Sequence, residues 1–471
     1  MKIEQIYTGC LAHAAYYLES NGEAAIFDPL REVQPYINRA KKDNAKIKYV
    51  FETHFHADFV SGHLDLHKKT GAAIVYGPTA KPGFDAIVAE DNQVFEVGNY
   101  KVKVIHTPGH TMESTTYLLI DEDGKEHGII TGDTLFIGDV GRPDLAQHVI
   151  SELTEEKLAS HLYDSLRNKI MPLDDHLIVY PNHGAGSACG KMMSKETTDT
   201  LGNQKKVNYA LREDMTKEEF IKELLTGLTK PPVYFPQNVL MNIKGYESLD
   251  TVMERGEKPL SPNAFEAAAN ETGALVLDTR DGSDFAKGFV PNSISIGLDG
   301  NFAQWVGEMI PDVKQEILLI TYPGKEEEAI TRLSRVGYDK TIGYLDGGFD
   351  SWKQEGKDYE TVGRINVEEF ESHYLTEKPM VIDVRKKSEY DSQHVVDAIN
   401  VPLNEINSHL SEFPKDKPFV IHCEGGYRSM IAASILKQRG WREFVDVVEG
   451  FEKIKETNVP TTEYVCPTTL L

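Results

Sequence analysis

The sequence predicts an α/β protein of about three domains, and three observations support this fold class. Its 471 residues are too many for a single hydrophobic core. From Met1 to about Asn208, short strand-like runs alternate with helical ones, which is typical of an α/β sandwich whose functional loops lie at strand ends. The second half contains one α/β unit twice, and its continuous apolar strands predict parallel sheets. The predicted domains span residues 1–255, 256–360 and 361–471.

The composition is that of an ordinary globular protein, with 40% hydrophobic and 26% charged residues. No apolar run is long enough to span a bilayer, and residues 1–6 are predicted to form a first strand, so we expect a cytoplasmic location. The formal net charge of −24 argues against nucleic acid or an anionic membrane as a partner, because phosphate would be repelled. The scattered cysteines predict individual thiol roles in a reducing compartment. They are Cys10, Cys189, Cys423 and Cys466.

In the first domain, polar side chains follow four separate apolar runs. The segment 53–58 reads Thr-His-Phe-His-Ala-Asp and follows the apolar run 47–51. Alternate residues of an extended segment share a face, so its two histidines and its aspartate are aimed at one place. Three later loops end in the same way, each with a glycine that lets backbones approach closely. The candidate metal ligands are His54, His56, Asp58, His110, Asp133 and His183.

Local signals also predict several elements outside these loops. A helix over residues 62–69 should end at Gly71. The Thr216-x-x-Glu219 pattern predicts a capping box that opens a helix reaching residue 228. The proline-rich stretch 231–236 is predicted to be extended instead of helical, and a linker is expected at residues 255–262.

The repeat in the second half differs between its copies at one decisive loop. Residues 274–280 match residues 379–385, an offset of 105. In the second copy, an apolar strand leads into Cys423, a glycine-rich loop and Arg428 at a helix start. Backbone N–H groups and a nearby positive charge favour a thiolate there, so Cys423 is predicted to be the nucleophile and Arg428 its partner. The neighbouring residues predicted to contact substrate are Glu424, Gly425, Gly426, Tyr427 and Ser429.

The first copy lacks these groups. Tyr322 stands where the cysteine should be, and Glu327 stands where the arginine should be. Without a thiol and with the charge inverted, this copy is predicted to lack the nucleophilic chemistry of the second copy and to serve as a packing or interdomain module.

Two sets of motifs resemble known families. The elements T-H-F-H-A-D, T-P-G-H-T, T-G-D and P-x-H-G-A-G, in this order, resemble the metallo-β-lactamase fold and specifically its persulfide dioxygenase branch. The C-x-x-G-x-R-S loop at Cys423 is similar to the active loop of the rhodanese family. The resemblance implies a metallo-β-lactamase αββα sandwich followed by two rhodanese-like α/β domains with parallel sheets.

The resemblance also implies a metal site. In the persulfide dioxygenases one iron(II) ion is held by residues that correspond here to His54, His110 and Asp133. Ligand type alone does not choose among zinc, iron and manganese. Two-metal members of the fold carry a histidine directly after the motif aspartate, whereas Phe59 stands there in this chain, so a single Fe(2+) is expected in preference to zinc. The remaining candidates are expected to orient ligands and water or, alternatively, to bind the metal: His56, Asp58 and His183.

Two further residues have open roles. Arg142 lies where the family places an arginine near the thiol substrate, and a salt bridge within its loop is the alternative. Cys189 follows His183 in a loop expected to face the metal. Its thiol would hold a persulfide beside the iron, or it would simply be a small residue filling a turn.

The expected function is that of a persulfide dioxygenase coupled to a rhodanese sulfurtransferase. The first would oxidise a low-molecular-weight thiol persulfide, built on glutathione, coenzyme A or a similar thiol, with O2 to sulfite and free thiol. The second would exchange sulfur between a Cys423 persulfide and sulfite or thiosulfate, in sulfide detoxification. We also expect a homo-oligomer. The alternatives are a zinc-dependent thioester hydrolase resembling hydroxyacylglutathione hydrolase and a sulfur carrier or sensor without catalysis.

Overall fold

The computed structural model describes residues 1–145, 153–228 and 230–466. The chain folds into two compact units, each with its own sheets and hydrophobic clusters. The first unit comprises Met1–Val252, Pro311–Val313 and Thr331–Asp339. The second comprises Met253–Ile310, Lys314–Ile330 and the chain from Lys340 onward. None of the helices in the described part of the chain has the length and apolar character that crossing a membrane requires.

Two six-stranded sheets form the first unit within the described residues. The first sheet contains, in spatial order, β1 (Lys2–Thr8), β2 (His13–Ser20), β3 (Glu23–Phe27), β4 (Lys46–Phe51), β5 (Ala73–Tyr76) and β6 (Ile87–Val88). The second contains β7 (Val94–Val97), β8 (Tyr100–His106), β9 (Thr115–Ile120), β10 (Glu126–Gly132), β11 (Ile178–Pro181) and β12 (Asp199–Thr200).

The helices of the N-terminal half are α1 (Gln34–Lys42), α2 (His63–Thr70), α3 (Glu155–Ser165), α4 (Leu201–Val207), α5 (Lys217–Leu225), α6 (Phe235–Lys244) and α7 (Leu249–Gly256). Those of the C-terminal half are α8 (Pro262–Thr272), α9 (Gly282–Lys287), α10 (Phe302–Met309), α11 (Glu326–Arg335), α12 (Gly348–Gln354), α13 (Val367–Glu377), α14 (Lys387–Ser392), α15 (Tyr427–Gln438) and α16 (Gly450–Ile454).

The sheets of the first unit pack face to face, and helices cover their outer faces. Phe27 and Phe51 of the first sheet and Tyr117 of the second are fully buried in the shared cluster, and the two phenylalanine rings stack with centroids 4.8 Å apart. Helices α1 and α2 contribute Tyr36 and Leu66 to a cluster on the first sheet, and α3 and α5 pack on the second. Each fully buried apolar side chain contributes about 1.5–3 kcal/mol. This αββα order confirms the predicted fold class of the first half.

Short sequence signals determine some helix ends. Helix α2 ends at Gly71, whose φ of +73° is left-handed, as predicted. Helix α5 begins with the predicted capping box: Thr216 accepts a hydrogen bond from the Glu219 N–H, and the Glu219 carboxylate accepts one from the Thr216 N–H. The helix ends at Leu225, before the expected residue 228.

Two other local predictions are wrong in part. The stretch 231–236 is not extended throughout, because α6 begins at Phe235 and carries Pro236 in its first turn. The missing proline N–H has no partner to lose there, so a proline is tolerated. The expected linker at residues 255–262 contains the end of α7, a short strand β13 (Pro259–Leu260) and the start of α8.

The second unit contains two five-stranded sheets among the described residues, and every strand pair in them is parallel. The first sheet has the order β13, β17 (Thr341–Leu345), β16 (Ile317–Ile320), β14 (Leu275–Asp278) and β15 (Ile294–Ser295). The second has the order β18 (Gly363–Ile365), β22 (Phe444–Val447), β21 (Phe419–His422), β19 (Met380–Asp383) and β20 (Ile399–Asn400). The two orders are the same, which confirms the predicted repeat of one parallel α/β unit.

Replacing Gly132 by alanine should destabilise the first unit more than the same change at Gly124. Both glycines have a left-handed φ, at +53° and +80°, where a Cβ costs about 1–2 kcal/mol. A Cβ on Gly132 would also lie 2.6 Å from Thr53 Oγ1, whereas a Cβ on Gly124 meets nothing within 4 Å. We therefore expect Gly132→Ala to lower the free energy of unfolding by about 1–3 kcal/mol more than Gly124→Ala. Hydrogen exchange of the first-unit amides, measured at increasing urea concentrations, gives the free energy of unfolding of each variant. An equal loss of stability in Gly132→Ala and Gly124→Ala would contradict the clash with Thr53.

Candidate metal centre and reactive cysteine

Four loops of the first unit carry polar side chains to one end of its two sheets. Residues 53–58 follow β4, His110 follows β8, Asp133 follows β10, and His183 follows β11. Strand β4 runs parallel to β3 and β5, and β10 runs parallel to β11. The loops after β4, β10 and β11 therefore lie beyond the carboxyl ends of parallel strands, where α/β proteins place their ligand sites. Strand β8 is antiparallel to both of its neighbours and brings His110 to the same end. The close approach of Gly132 to Thr53 brings the loops of the two sheets together.

Three of the predicted ligands form one buried group. The ligand atoms of His54, His110 and Asp133 all lie within 4.8 Å of one another. The Nε2 atoms of His54 and His110 lie 3.9 and 3.5 Å from Asp133 Oδ2. All three side chains are about 1% exposed, so bulk water does not screen them. The predicted triad is thus assembled from three loops that lie far apart in the sequence.

Hydrogen bonds orient both imidazoles of this triad. His110 Nδ1 lies 2.8 Å from the Arg142 carbonyl oxygen, which can only accept, so Nδ1 carries the proton. The Thr53 hydroxyl donates to Asp28 Oδ1 at 3.2 Å, so its 3.0 Å contact with His54 Nδ1 is donated by the imidazole. In both rings Nε2 then presents a lone pair toward Asp133. Fixing the tautomer through the other ring nitrogen is typical of metal-ligating histidines.

The residues fit a divalent cation. Neither carboxylate oxygen of Asp133 accepts a hydrogen bond from any residue that the structure describes, although both are buried. Burial, with His56 and His110 adding to it, lowers the pKa of His54 well below its usual value, which keeps the imidazole neutral as a ligand must be. Two imidazole nitrogens and one carboxylate are a donor set that suits iron, zinc or manganese and leaves coordination positions open.

Asp58, His183 and Cys189 form a second buried group beside the triad. His183 Nε2 lies 3.4 Å from Asp58 Oδ2 and 3.6 Å from Asp133 Oδ1, and its Nδ1 contacts the Ala12 carbonyl oxygen at 3.2 Å. Burial, with Asp58 and Asp133 adding to it, raises the pKa of the Cys189 thiol well above its usual value. The protein alone therefore keeps this thiol neutral.

His56 belongs to a third group, with Asp28 and Glu52. Its Nε2 lies 2.9 Å from Asp28 Oδ1 and 3.5 Å from Glu52 Oε2. Burial opposes a charge on His56, but the two carboxylates outweigh it and hold its pKa well above the usual value. His56 Nδ1 has no hydrogen-bond partner among the described residues. Its two predicted roles, orienting ligands and water or binding the metal, therefore both stay predictions.

Asp28 and Glu52 were not among the residues singled out from the sequence. Asp28 directly follows β3, and Glu52 directly follows β4, so each is a polar residue at the end of an apolar strand. The same signal that identified the other loops applies to Asp28. Besides contacting His56, Asp28 accepts the Thr53 N–H at 2.8 Å and so holds the start of the metal loop.

Arg142 is tied to its own loop. Its guanidinium donates two hydrogen bonds to the Asp144 carboxylate at 2.6 and 2.5 Å, and a third reaches the Ala188 carbonyl oxygen at 3.3 Å. Its backbone N–H donates to the Cys189 carbonyl oxygen at 3.0 Å. The loop salt bridge that we considered as the alternative is therefore present, and the contact of Arg142 with substrate stays a prediction.

The second candidate site surrounds Cys423 at the carboxyl end of β21. Its Sγ accepts a hydrogen bond from the Gly426 N–H at 3.1 Å, just before α15 begins at Tyr427. Gly426 has a φ of +89°, and a Cβ there would lie 2.4 Å from the Val448 carbonyl oxygen. Only glycine therefore allows the turn that points an amide at the sulfur.

Charged pairs brace the Cys423 loop on two sides. Arg428 donates to both oxygens of Glu389 at 2.6 and 2.8 Å. Arg385 donates to Glu424 at 3.0 Å, and the Ser429 hydroxyl donates to the Gly426 carbonyl oxygen at 3.2 Å. The predicted positive charge of Arg428 is present in the cavity that Cys423 lines, but Arg428 also forms an ion pair with Glu389.

In the first repeat, Thr321 directly follows β16 and takes the position that Cys423 takes after β21, because Ile320 pairs with Asp278 as His422 pairs with Asp383. The prediction that Tyr322 and Glu327 stand at the cysteine and arginine positions is therefore wrong by one residue, and Glu326 is the residue that matches Arg428.

Tyr322 is the next residue of this loop after Thr321. Its hydroxyl donates to Asp284 at 2.7 Å and accepts the Asp281 N–H at 3.2 Å. Burial and Asp284 raise the pKa of Tyr322 to about 12, so its hydroxyl stays protonated near neutral pH. The loop of the first repeat therefore offers a threonine at the Cys423 position and a protonated tyrosine beside it, and no thiol.

Comparison with known proteins gives two family matches. Residues 8–183 match the metallo-beta-lactamase superfamily. Residues 261–355 and 366–457 each match the rhodanese-like domain. The matches lie on the sandwich and on the two parallel α/β units described above.

Individual relatives cover different parts of the chain. A probable hydroxyacylglutathione hydrolase of Schizosaccharomyces pombe is 28% identical over 251 residues, 48% of this chain and 91% of that protein. The crystal structure of ETHE1 from Myxococcus xanthus is 25% identical and covers 52% of this chain and 99% of that one, with a TM-score of 0.45. A metallo-beta-lactamase structure from Staphylococcus aureus subsp. aureus COL is 32% identical and covers 73% of this chain and 98% of that one, with a TM-score of 0.62. The chain therefore belongs to the metallo-β-lactamase superfamily and carries two rhodanese-like domains after its metallo-β-lactamase domain.

Proposed function

We propose that the protein is an iron(II) persulfide dioxygenase coupled to a sulfurtransferase. The observation that carries this proposal is the buried triad of His54, His110 and Asp133, together with Phe59 at the position where two-metal relatives need a histidine. A facial set of two histidines and one carboxylate with open positions is the donor set of non-haem iron oxygenases.

The substrates follow from this assignment. A low-molecular-weight persulfide R–S–SH, O2 and water would give the thiol R–SH and sulfite. When bound, iron(II) supplies the open positions and the redox chemistry that O2 activation needs. The protein supplies the fixed Nε2 lone pairs of two histidines. The Thr53 hydroxyl orients the ring of His54, and the Arg142 carbonyl oxygen orients the ring of His110. The protein also buries the three side chains of the triad away from bulk water, where electrostatic interactions are stronger.

The sulfurtransferase half of the proposal rests on Cys423. The Gly426 N–H donates to its sulfur, and Arg428 lines the same cavity, so a hydrogen-bond donor and a positive charge are available to the reacting sulfur. The thiolate would carry sulfane sulfur as a cysteine persulfide and pass it to sulfite, which gives thiosulfate. The product of the first site would thereby become a substrate of the second.

A thioester hydrolase is the second candidate. It is favoured by the adjacent group of Asp58, His183 and Cys189, which offers further ligand atoms next to the triad, as a two-metal hydrolase requires. The probable hydroxyacylglutathione hydrolase named above is also similar to this half of the chain. The two candidates differ in the metal that supports activity and in whether O2 is consumed.

The first test concerns the metal. Anaerobically purified protein should contain about one iron ion per chain and consume O2 with glutathione persulfide. Asp133→Ala should lower iron binding and O2 uptake by at least about 100-fold, because it removes a ligand instead of a supporting residue. The exposed Asp123→Ala is the matched control and should change neither. Full O2 uptake by zinc-loaded, iron-free protein would contradict the iron assignment, and hydrolysis of a glutathione thioester by that form would favour the hydrolase.

The second test links the two sites. Cys423→Ser should leave O2 uptake within about twofold of the wild type, because Cys423 and the metal triad belong to different compact units and substitutions without shared partners act independently. The product should shift from thiosulfate to sulfite. Arg428→Ala should act in the same direction but less completely, since the nucleophile remains. Sulfite and thiosulfate are measured against O2 consumed, with the exposed Cys466→Ser as the control thiol. An unchanged product ratio in Cys423→Ser would show that the second site does not process the product of the first.

A further inference from the structure

A cavity of about 610 Å³ opens over Cys423, and its walls come from both repeats of the second unit. The active repeat contributes Cys423 and Arg428. The silent repeat contributes Gly300, Asn301, Gln304 and Trp305, at the start of α10. The repeat that has no nucleophile thus forms part of the surface next to the nucleophile of the other.

Specific contacts hold this wall in place. The Tyr427 hydroxyl donates to the Gly297 carbonyl oxygen at 2.7 Å. Gly300 has a φ of +143°, and a Cβ there would lie 2.8 Å from a ring carbon of Tyr427. The Ser295 N–H donates to the Ser434 hydroxyl on α15 at 3.0 Å. The segment before α10 is therefore fitted to the helix that begins at the Cys423 loop.

The size and lining of the cavity indicate its ligand. Cavities of roughly 300–1,000 Å³ bind small organic molecules, whereas sulfite and thiosulfate contain only a few atoms. Asn301 is exposed, Gln304 is half-buried and Trp305 is 8% exposed. An amide side chain both donates and accepts hydrogen bonds, and an indole face packs against a flat or aliphatic group. The side-chain amides of Asn301 and Gln304 can therefore exchange hydrogen bonds with an organic chain that itself carries amides, while Trp305 packs against its aliphatic part.

We propose that the silent repeat supplies the carrier subsite of the Cys423 site. Asn301, Gln304 and Trp305 bind the organic part of an amide-bearing low-molecular-weight thiol, which delivers sulfane sulfur to Cys423. Glutathione and coenzyme A both carry secondary amides close to the thiol, so they share this chemistry. The inference rests on the proposed sulfurtransferase role of Cys423.

The transfer step balances without a further oxidant. The Cys423 thiolate attacks the terminal sulfur of R–S–SH, the S–S bond of the carrier breaks, and a new S–S bond forms on Cys423. The proton stays on the transferred sulfur, and the carrier leaves as R–S⁻. Sulfite then attacks the sulfane sulfur, which forms thiosulfate and returns the proton to the Cys423 sulfur.

The test uses the full chain under anaerobic conditions, so that O2 chemistry does not contribute. Transfer from glutathione persulfide or coenzyme A persulfide to sulfite is compared with transfer from thiosulfate to cyanide. In Asn301→Ala and Gln304→Ala the ratio of kcat/KM for the persulfide over that for thiosulfate should fall about three- to tenfold, the effect of one lost hydrogen bond. The matched controls are Asn270→Ala and Gln354→Ala, exposed residues of the same repeat, which should keep the wild-type ratio.

The outcomes separate the two levels of the proposal. A fall with only one of the two persulfides supports the subsite and identifies the carrier. A ratio equal to that of the controls with both persulfides overturns the subsite, as does an equal loss with thiosulfate. Transfer that persists in Cys423→Ser overturns the sulfurtransferase role itself.

Discussion

The arrangement of the first unit depends on the buried carboxylate of Asp133, which lies among the Nε2 atoms of three imidazoles. Neither of its oxygens accepts a hydrogen bond from the part of the chain that the structure describes, and an uncompensated charge at such a depth costs several kcal/mol. His54, His110 and His183 direct Nε2 toward it because their Nδ1 atoms lie against a hydroxyl or a carbonyl oxygen. A divalent cation bound there would balance this charge, so the fold already holds these side chains in the arrangement that a metal ion requires.

This site exists because two sheets meet with their loops at one end. The cluster of Phe27, Phe51 and Tyr117 holds the sheets face to face. Gly132, without a side chain, lets the end of β10 approach Thr53 at the end of β4. The core thus fixes the distance between loops, and the loops fix the distance between ligands. Small changes in packing at this point are transmitted to the site because close-packed interiors do not absorb them.

The two repeats show how one fold can keep its architecture while its chemistry changes. Both sheets have the same strand order, yet the strand that delivers Cys423 in one delivers Thr321 in the other. The first repeat carries no thiol in this loop, and part of it forms a surface beside the other repeat. Its segment next to α10 now lies against Tyr427, so the repeat contributes shape and polar contacts where it contributes no thiol.

The sequence by itself determined the elements whose signals are local: the ligand spacing of residues 53–58, the glycine-rich turn after Cys423, the capping box at Thr216 and the repeated parallel strands. Only the tertiary structure decided which distant groups meet. It paired His56 with Asp28, joined Arg142 to the Ala188 carbonyl oxygen and placed Asn301 in one cavity with Cys423. It also allowed α6 to begin among prolines. The reason is that spacing along a chain fixes which side chains share a face, whereas their partners from other segments are chosen by packing, which no short stretch of sequence contains.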